Sequence, residues 1–166
     1  MQEPTALKAY ITEYRRRILK ASDDNQGVVY KFIGDAAMIL LKGRQAAVNA
    51  LGRARFLGQE MTTWSEERLA EGKAPVAVGI GLHWGEVFSG VVGSSERLEY
   101  TVFGDTVNIA ARLEQLTKTE AGAIIASETL LQRAGIAPAR NGWDALPATE
   151  LRGRRGCIAI FGRGLV

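Results

Sequence analysis

Apolar positions recur along the chain with two different periods, and the switches between them mark the elements. Leu7, Tyr10, Ile11, Tyr14 and Ile18 fall at helical spacing and predict a helix over residues 3–20. Residues 28–33 and 36–41 read as two short strands flanking Gly34-Asp35, the shape of a hairpin with the aspartate at its tip. A helix is expected from about Gln45 to Leu69, with Val48, Leu51, Leu57, Met61 and Trp64 inward and a kink marked by Gly52 and Gly58. Gly72 and Pro75 end it. Residues 76–83 predict a glycine-spaced strand, Trp84-Gly85 a turn, and residues 86–92 its partner strand, with a loop at 93–96.

Residues 98–103 form the next apolar, β-branched run, broken by Gly104 and Asp105 before a helix with Val107, Ala110, Ala111 and Leu113 on its apolar stripe. Asp105 suits the N-cap of that helix. Asn108 and Arg112 lie four residues apart, so both project from one face. A solvated face, with Arg112 paired to Glu114 or a neighbour, accounts for them; so does a ligand that needs donors. A short strand at 123–126, a short helix capped by Ser127, an irregular stretch at 134–148 and closing strands near 149–152 and 157–161 complete the pattern. Helices and hairpins mix without a repeat, which makes the class α+β with a largely antiparallel sheet, in a single domain of 166 residues.

Composition changes this picture little. The formal charge of +3 requires no nucleic acid, and the Arg15-Arg16-Arg17 run reads as a solvent face of the first helix. The lone Cys157 sits in an apolar run and reads as a buried thiol, so no disulfide framework exists within one chain. No run reaches membrane-spanning length and no signal peptide opens the chain. A cytoplasmic domain is expected, with a sensor or membrane module upstream in the natural protein.

The residues exclude several chemistries. A glycine-rich loop ending in Lys-Ser or Lys-Thr is missing, zinc spacing is impossible with one Cys and one His, and no nucleophile elbow accompanies His83, which reads as core or interface filler. What remains is Asp35 on a hairpin tip, Lys31 nearby, the Asn108 and Arg112 pair, and Arg152, Arg154 and Arg155. Asp supplies a hard oxygen for Mg²⁺ and Arg matches phosphate geometry, so the set leans toward a metal-bound polyphosphate.

Lys31-Phe-Ile-Gly-Asp35, Gly79-Ile-Gly-Leu-His-Trp-Gly85 and Tyr100-Thr-Val-Phe-Gly-Asp-Thr-Val-Asn-Ile-Ala-Ala-Arg112 closely resemble the class III adenylate/guanylate cyclase catalytic domain, in its order and at its spacing, over roughly residues 7–162. The resemblance implies a ferredoxin-like βαββαβ palm, a head-to-tail dimer with another cyclase domain, and conversion of ATP to cyclic AMP and pyrophosphate. It implies that Asp35 is one of two aspartates holding a pair of Mg²⁺ or Mn²⁺ ions. Lys31 and Thr101 would read adenine, Asn108 would orient the ribose, Arg112 would bind the α-phosphate, and Arg152 would stand where the family has a lysine on the terminal phosphates. The family's opening strand, which carries the first metal-binding Asp, has no counterpart; Asp23 and Asp24 are poor substitutes. Two expectations follow: weak or no activity of this chain alone, and unpaired strand edges where that strand would lie. The alternative is a non-catalytic nucleotide-binding or dimerisation module that completes a site with another cyclase chain.

Overall fold

The computed structural model describes residues 4–22, 27–94, 97–120, 123–150 and 157–165. Along them run α1 (Pro4–Ser22), β1 (Gly27–Ile33), β2 (Ala36–Leu41), α2 (Ala46–Ala70), β3 (Ile80–Leu82), β4 (Phe88–Ser94) and β5 (Arg97–Phe103). There follow α3 (Asp105–Leu116), β6 (Ile124–Ser127), α4 (Glu128–Arg133), a 3-10 turn at Pro138–Arg140, β7 (Asp144–Glu150) and β8 (Cys157–Arg163). The class is α+β, as expected. The described strands form three separately bonded sheets: the β1–β2 hairpin, the β4–β5 hairpin, and a four-stranded sheet in the order β3-β6-β8-β7. β3 runs parallel to β6, and the other pairings are antiparallel. Backbone contacts divide the chain into two units, one running to Val78 and including Leu165, the other spanning Gly79–Gly164.

In the first unit, α1 packs on α2 through Ile18, Ala21, Leu57, Met61 and Trp64, all buried. The start of α2 buries small residues, Ala46, Ala47, Ala50 and Ala54, whereas Val48 is exposed. The expectation for Val48 was wrong because the buried stripe of α2 passes through the alanines instead. Leu7 and Ile11 are likewise exposed on α1. Arg17 corrects the reading of the arginine run: Arg15 and Arg16 face solvent, but Arg17 is buried against the Trp64 ring, 5.3 Å from its centroid. Arg53 donates to the Ala21 carbonyl at 2.8 Å and so satisfies an end group of α1. The β1–β2 hairpin turns at Gly34-Asp35, with Gly34 at φ 62, the left-handed region that glycine enters without strain.

In the second unit, Ile109 and Leu113 of α3 pack on Ile125 and Ile160, with Leu116, Leu146 and Ile158 at the margin. All four residues of β6 are buried, as its central place in the order requires. Ser127 caps α4 as expected, its Oγ accepting from the Leu130 amide. Three expectations change here. β3 is only three residues long and pairs with β6, whereas β4 pairs with β5 over its whole length. β7 begins at Asp144, inside the stretch read as irregular. Pro147 is tolerated because β7 is an edge strand whose register shifts between Leu146 and Thr149. Cys157 is exposed, because it opens β8 ahead of the buried Ile160.

Candidate active site

The turn from β5 into α3 is made by Gly104, at φ 143 and ψ 150, a backbone region that is essentially glycine's alone. Gly104 therefore takes the N-cap position. Asp105, expected there, is the first helical residue, and the N-cap glycine has no side chain with which to cap the helix. Its carboxylate in the first turn still suits the positive end of the helix. Thr106 Oγ1 donates to the Glu86 carbonyl at 2.6 Å and ties this end of α3 to the segment leading into β4. Ile109 and Leu113 then fix the inward face in the core; Ile109 stands in the stripe where Ala111, which is exposed, was expected.

Asn108 and Arg112 are exposed on α3, and neither makes a hydrogen bond, ion pair or ring contact with another described residue. Glu114, the neighbour that would neutralise Arg112 on a solvated face, approaches Lys118 instead, at 3.9 Å. A carboxamide and a guanidinium are thus presented together, one helical turn apart, on the exposed face of α3. Thr101 lies on β5, half-buried, opposite Gly90 of β4.

Lys31 and Asp35 belong to the first unit, on the β1–β2 hairpin, and both are exposed. Lys31 follows an irregularity in the ladder: Val29 and Lys31 oppose the adjacent residues Ile39 and Met38, so one residue of β1 is extra. Such bulges re-aim the side chain that follows. Asp35 stands at the tip, where an oxygen ligand is open to solvent. Among the described residues no group of three or more His, Cys, Asp or Glu side chains is placed to hold a metal. One exposed carboxylate fits a single Mg²⁺ or Mn²⁺ completed by phosphate oxygens and water, the usual manner of binding Mg²⁺. A fully protein-held pair of ions does not fit the donor set of the described residues. Arg152, with Arg154 and Arg155, lies outside the described residues.

His83 is half-buried, and its Nδ1 lies 2.7 Å from Ser127 Oγ, the oxygen that caps α4. It therefore serves packing and capping, as its place in an apolar run implied. Two features escaped sequence reasoning. The Thr106 anchor carries no spacing signal, whereas the buried Arg17, whose Nε lies 2.6 Å from Glu13 Oε1, has one, the Glu13 to Arg17 interval of four on α1.

The family model for the adenylate and guanylate cyclase catalytic domain matches residues 1–155. The chain belongs to this family. Among relatives of this cyclase domain, an adenylate cyclase from Anabaena cylindrica is 34% identical over 134 residues, which cover 78% of this chain and 26% of the relative. The domain thus spans about a quarter of that protein's length. Of solved structures, the adenylyl cyclase CyaB from P. aeruginosa shares its fold with a TM-score of 0.82 at 23% identity, covering 96% of this chain and 83% of that one. The guanylyl cyclase Cya2 has a TM-score of 0.80 at 25% identity, with 98% and 84% covered. No helix among the described residues of the cyclase domain is long and apolar enough to cross a membrane.

Proposed function

We propose that this cyclase domain converts ATP to 3′,5′-cyclic AMP and pyrophosphate. The ribose 3′-oxygen attacks the α-phosphorus in line, the bond to the bridging oxygen of the β-phosphate breaks, and the 3′-hydroxyl proton leaves with solvent. The observation that carries the reading is the exposed Asn108 and Arg112 pair on α3, neither engaged by another described residue. Asn108 holds the ribose so that its 3′-oxygen faces the α-phosphate. Arg112 donates to the α-phosphate oxygens, where negative charge accumulates in the transition state. The Lys31 ammonium donates to N1 of adenine, and Thr101 Oγ1 accepts from the 6-amino group. Guanine reverses both demands, so this pair favours ATP. Arg152 pairs with the terminal phosphates.

Asp35 would hold Mg²⁺ or Mn²⁺ together with phosphate oxygens; the ion supplies charge neutralisation for the departing pyrophosphate. With one carboxylate in that role, turnover by this chain alone is expected to be slow. The site is composite, in a head-to-tail dimer: one copy supplies Lys31, Thr101, Asn108, Arg112 and Arg152, and the other supplies Asp35. The β4–β5 hairpin supports an association of this kind. Phe88, Val91, Val92 and Phe103 are all half or more exposed on it, and among the described residues its strands pair only with each other.

The test is cyclic AMP production from ATP and Mn²⁺ by the wild type and by Arg112→Ala. Loss of one transition-state donor lowers kcat by roughly 10²-fold or more while ATP binding is largely kept. Unchanged turnover removes Arg112 from the mechanism.

A further inference from the structure

β3 and α3 meet without side chains between them. A Cβ built on Gly81 would stand 2.2 Å from the Ala110 carbonyl oxygen and 2.3 Å from the Glu114 amide nitrogen. Both are backbone atoms of α3, so no rotamer change relieves the overlap. The same seam continues in both directions. A Cβ on Gly79 would meet Thr117 Oγ1 at 1.9 Å, and one on Gly85 would meet Thr106 Oγ1 at 2.4 Å. Thr106, Ala110, Glu114 and Thr117 therefore run down the strand-facing side of the helix. Each residue advances about 100° around the axis, so Asn108 and Arg112, each two beyond a seam position, lie about 200° away on the far side. The strand itself is fixed, since Ile80, Gly81 and Leu82 pair with the buried residues Ile124, Ile125 and Ala126.

We propose that Gly81 is a positioning residue for the reaction: its missing side chain sets the depth at which α3 seats on β3, and hence where Asn108 and Arg112 stand relative to the ribose and α-phosphate. The inference rests on the cyclase reading of those two residues. Ordinary contact begins near 3.4 Å, so an alanine at position 81 displaces the helix by about 1 Å. The core residues Ile109 and Leu113 keep α3 folded, and the displacement moves it as a body. A misplacement of this size at a reacting group costs up to about 10²-fold in rate.

The experiment compares Gly81→Ala with the wild type and with Gly52→Ala, a helix position where a Cβ meets nothing within 4 Å. Gly81→Ala is expected to lower kcat by roughly 10- to 100-fold with KM for ATP within about threefold and far-UV circular dichroism unchanged. Gly52→Ala is expected to match the wild type. Turnover of Gly81→Ala within about twofold of wild type overturns the proposal. Should Gly81→Ala fail to fold, the Gly79 contact carries the test, because its obstacle is a side chain. Gly79→Ala loses turnover, and Thr117→Gly in the same chain restores it; failure of that rescue overturns the proposal. Should the wild type make no measurable cyclic nucleotide, as the slow turnover expected of this chain alone allows, turnover decides nothing about the seating. Crystal structures of wild type and Gly81→Ala then decide the seating alone: a helix shifted by about 1 Å supports it, and an unshifted helix overturns it.

Discussion

Replacing Arg17 by Met would test whether the α1–α2 packing depends on a buried cation. The guanidinium donates to Glu13 at 2.6 Å, to Glu67 at 2.8 Å and to the Glu60 carbonyl at 3.3 Å, and lies 3.9 Å from the Glu60 carboxylate. Its Trp64 contact adds a cation–π interaction of about 1 kcal/mol. Methionine keeps the aliphatic packing but removes a counter-charge shared by three carboxylates, of which Glu13 keeps Arg16 at 2.7 Å and Glu60 keeps Lys20 at 2.9 Å. Breaking a fully buried pair from one side costs about 3–5 kcal/mol. Here Arg17 is only 10% exposed in its side chain, but Glu13, Glu60 and Glu67 are 30%, 21% and 51% exposed, so water takes up part of the loss. The expected destabilisation is about 2–3 kcal/mol, and roughly 5–10 °C in Tm for a chain of this size. Urea denaturation followed by far-UV circular dichroism measures it. Arg17→Lys, which keeps the charge and loses the fork, should fall between the two. A loss below about 0.5 kcal/mol for Arg17→Met would refute the reasoning and reduce these contacts to surface pairing.

Two further outcomes follow from the same structure. Hydrogen bonding to Arg16, then to Arg17, holds the Glu13 carboxyl down at about 2 against an ordinary 4.5. A lowered folded-state pKa stabilises above the unfolded value and is lost as pH falls through the folded one, so this contribution is full above about pH 5 and gone near pH 2. The whole shift corresponds to about 3 kcal/mol, which solvent screening of a partly exposed carboxylate cuts to roughly 1 kcal/mol. Glu13→Gln should therefore be less stable than wild type at pH 7, and the two denaturation midpoints should converge as pH approaches 2; a constant gap would contradict the assignment. For base selection, Lys31→Glu with Thr101→Cys should lower the ATP to GTP ratio of kcat/KM by about 10²-fold, because the donor and acceptor now suit guanine. An unchanged ratio would take both residues out of purine recognition.

The parts of the fold set by local chemistry were legible in the sequence. The Gly34-Asp35 turn could be placed because two apolar runs flank a pair that suits a tight hairpin, and α3 because Gly104-Asp105 interrupts a β-branched run before a 3.6-residue period. Parts set by tertiary pairing were not. Nothing in residues 76–92 distinguishes a hairpin from two strands that choose other partners, and β4 found β5 while β3 found β6. Pro147 and Gly142 concealed β7, since an edge strand accepts a proline that a central strand rejects. Arg17 was hidden in a run of three arginines, two of which do face water. At the site, Asn108 and Arg112 could be set on one face by spacing alone, but their freedom from Glu114 is a fact of side-chain placement. Gly79 and Gly81 read as strand spacing and Gly85 as part of a turn; their use, a close seam under α3 in which Gly81 meets helix backbone and Gly79 and Gly85 meet Thr117 and Thr106, depends on which helix lies against them.

The central claim, a cyclase site shared between two copies of the chain, is tested most directly by mixing two inactive variants. Asp35→Ala and Arg112→Ala each disable both sites of their own homodimer. In a mixed dimer one site inherits the intact Asp35 from one chain and the intact Arg112 from the other. Random pairing of equal amounts then gives mixed dimers in about half the population with one working site each, or about a quarter of wild-type cyclic AMP production. Recovery near that level is the predicted result. A mixture as inactive as its two components would contradict a site built from both copies.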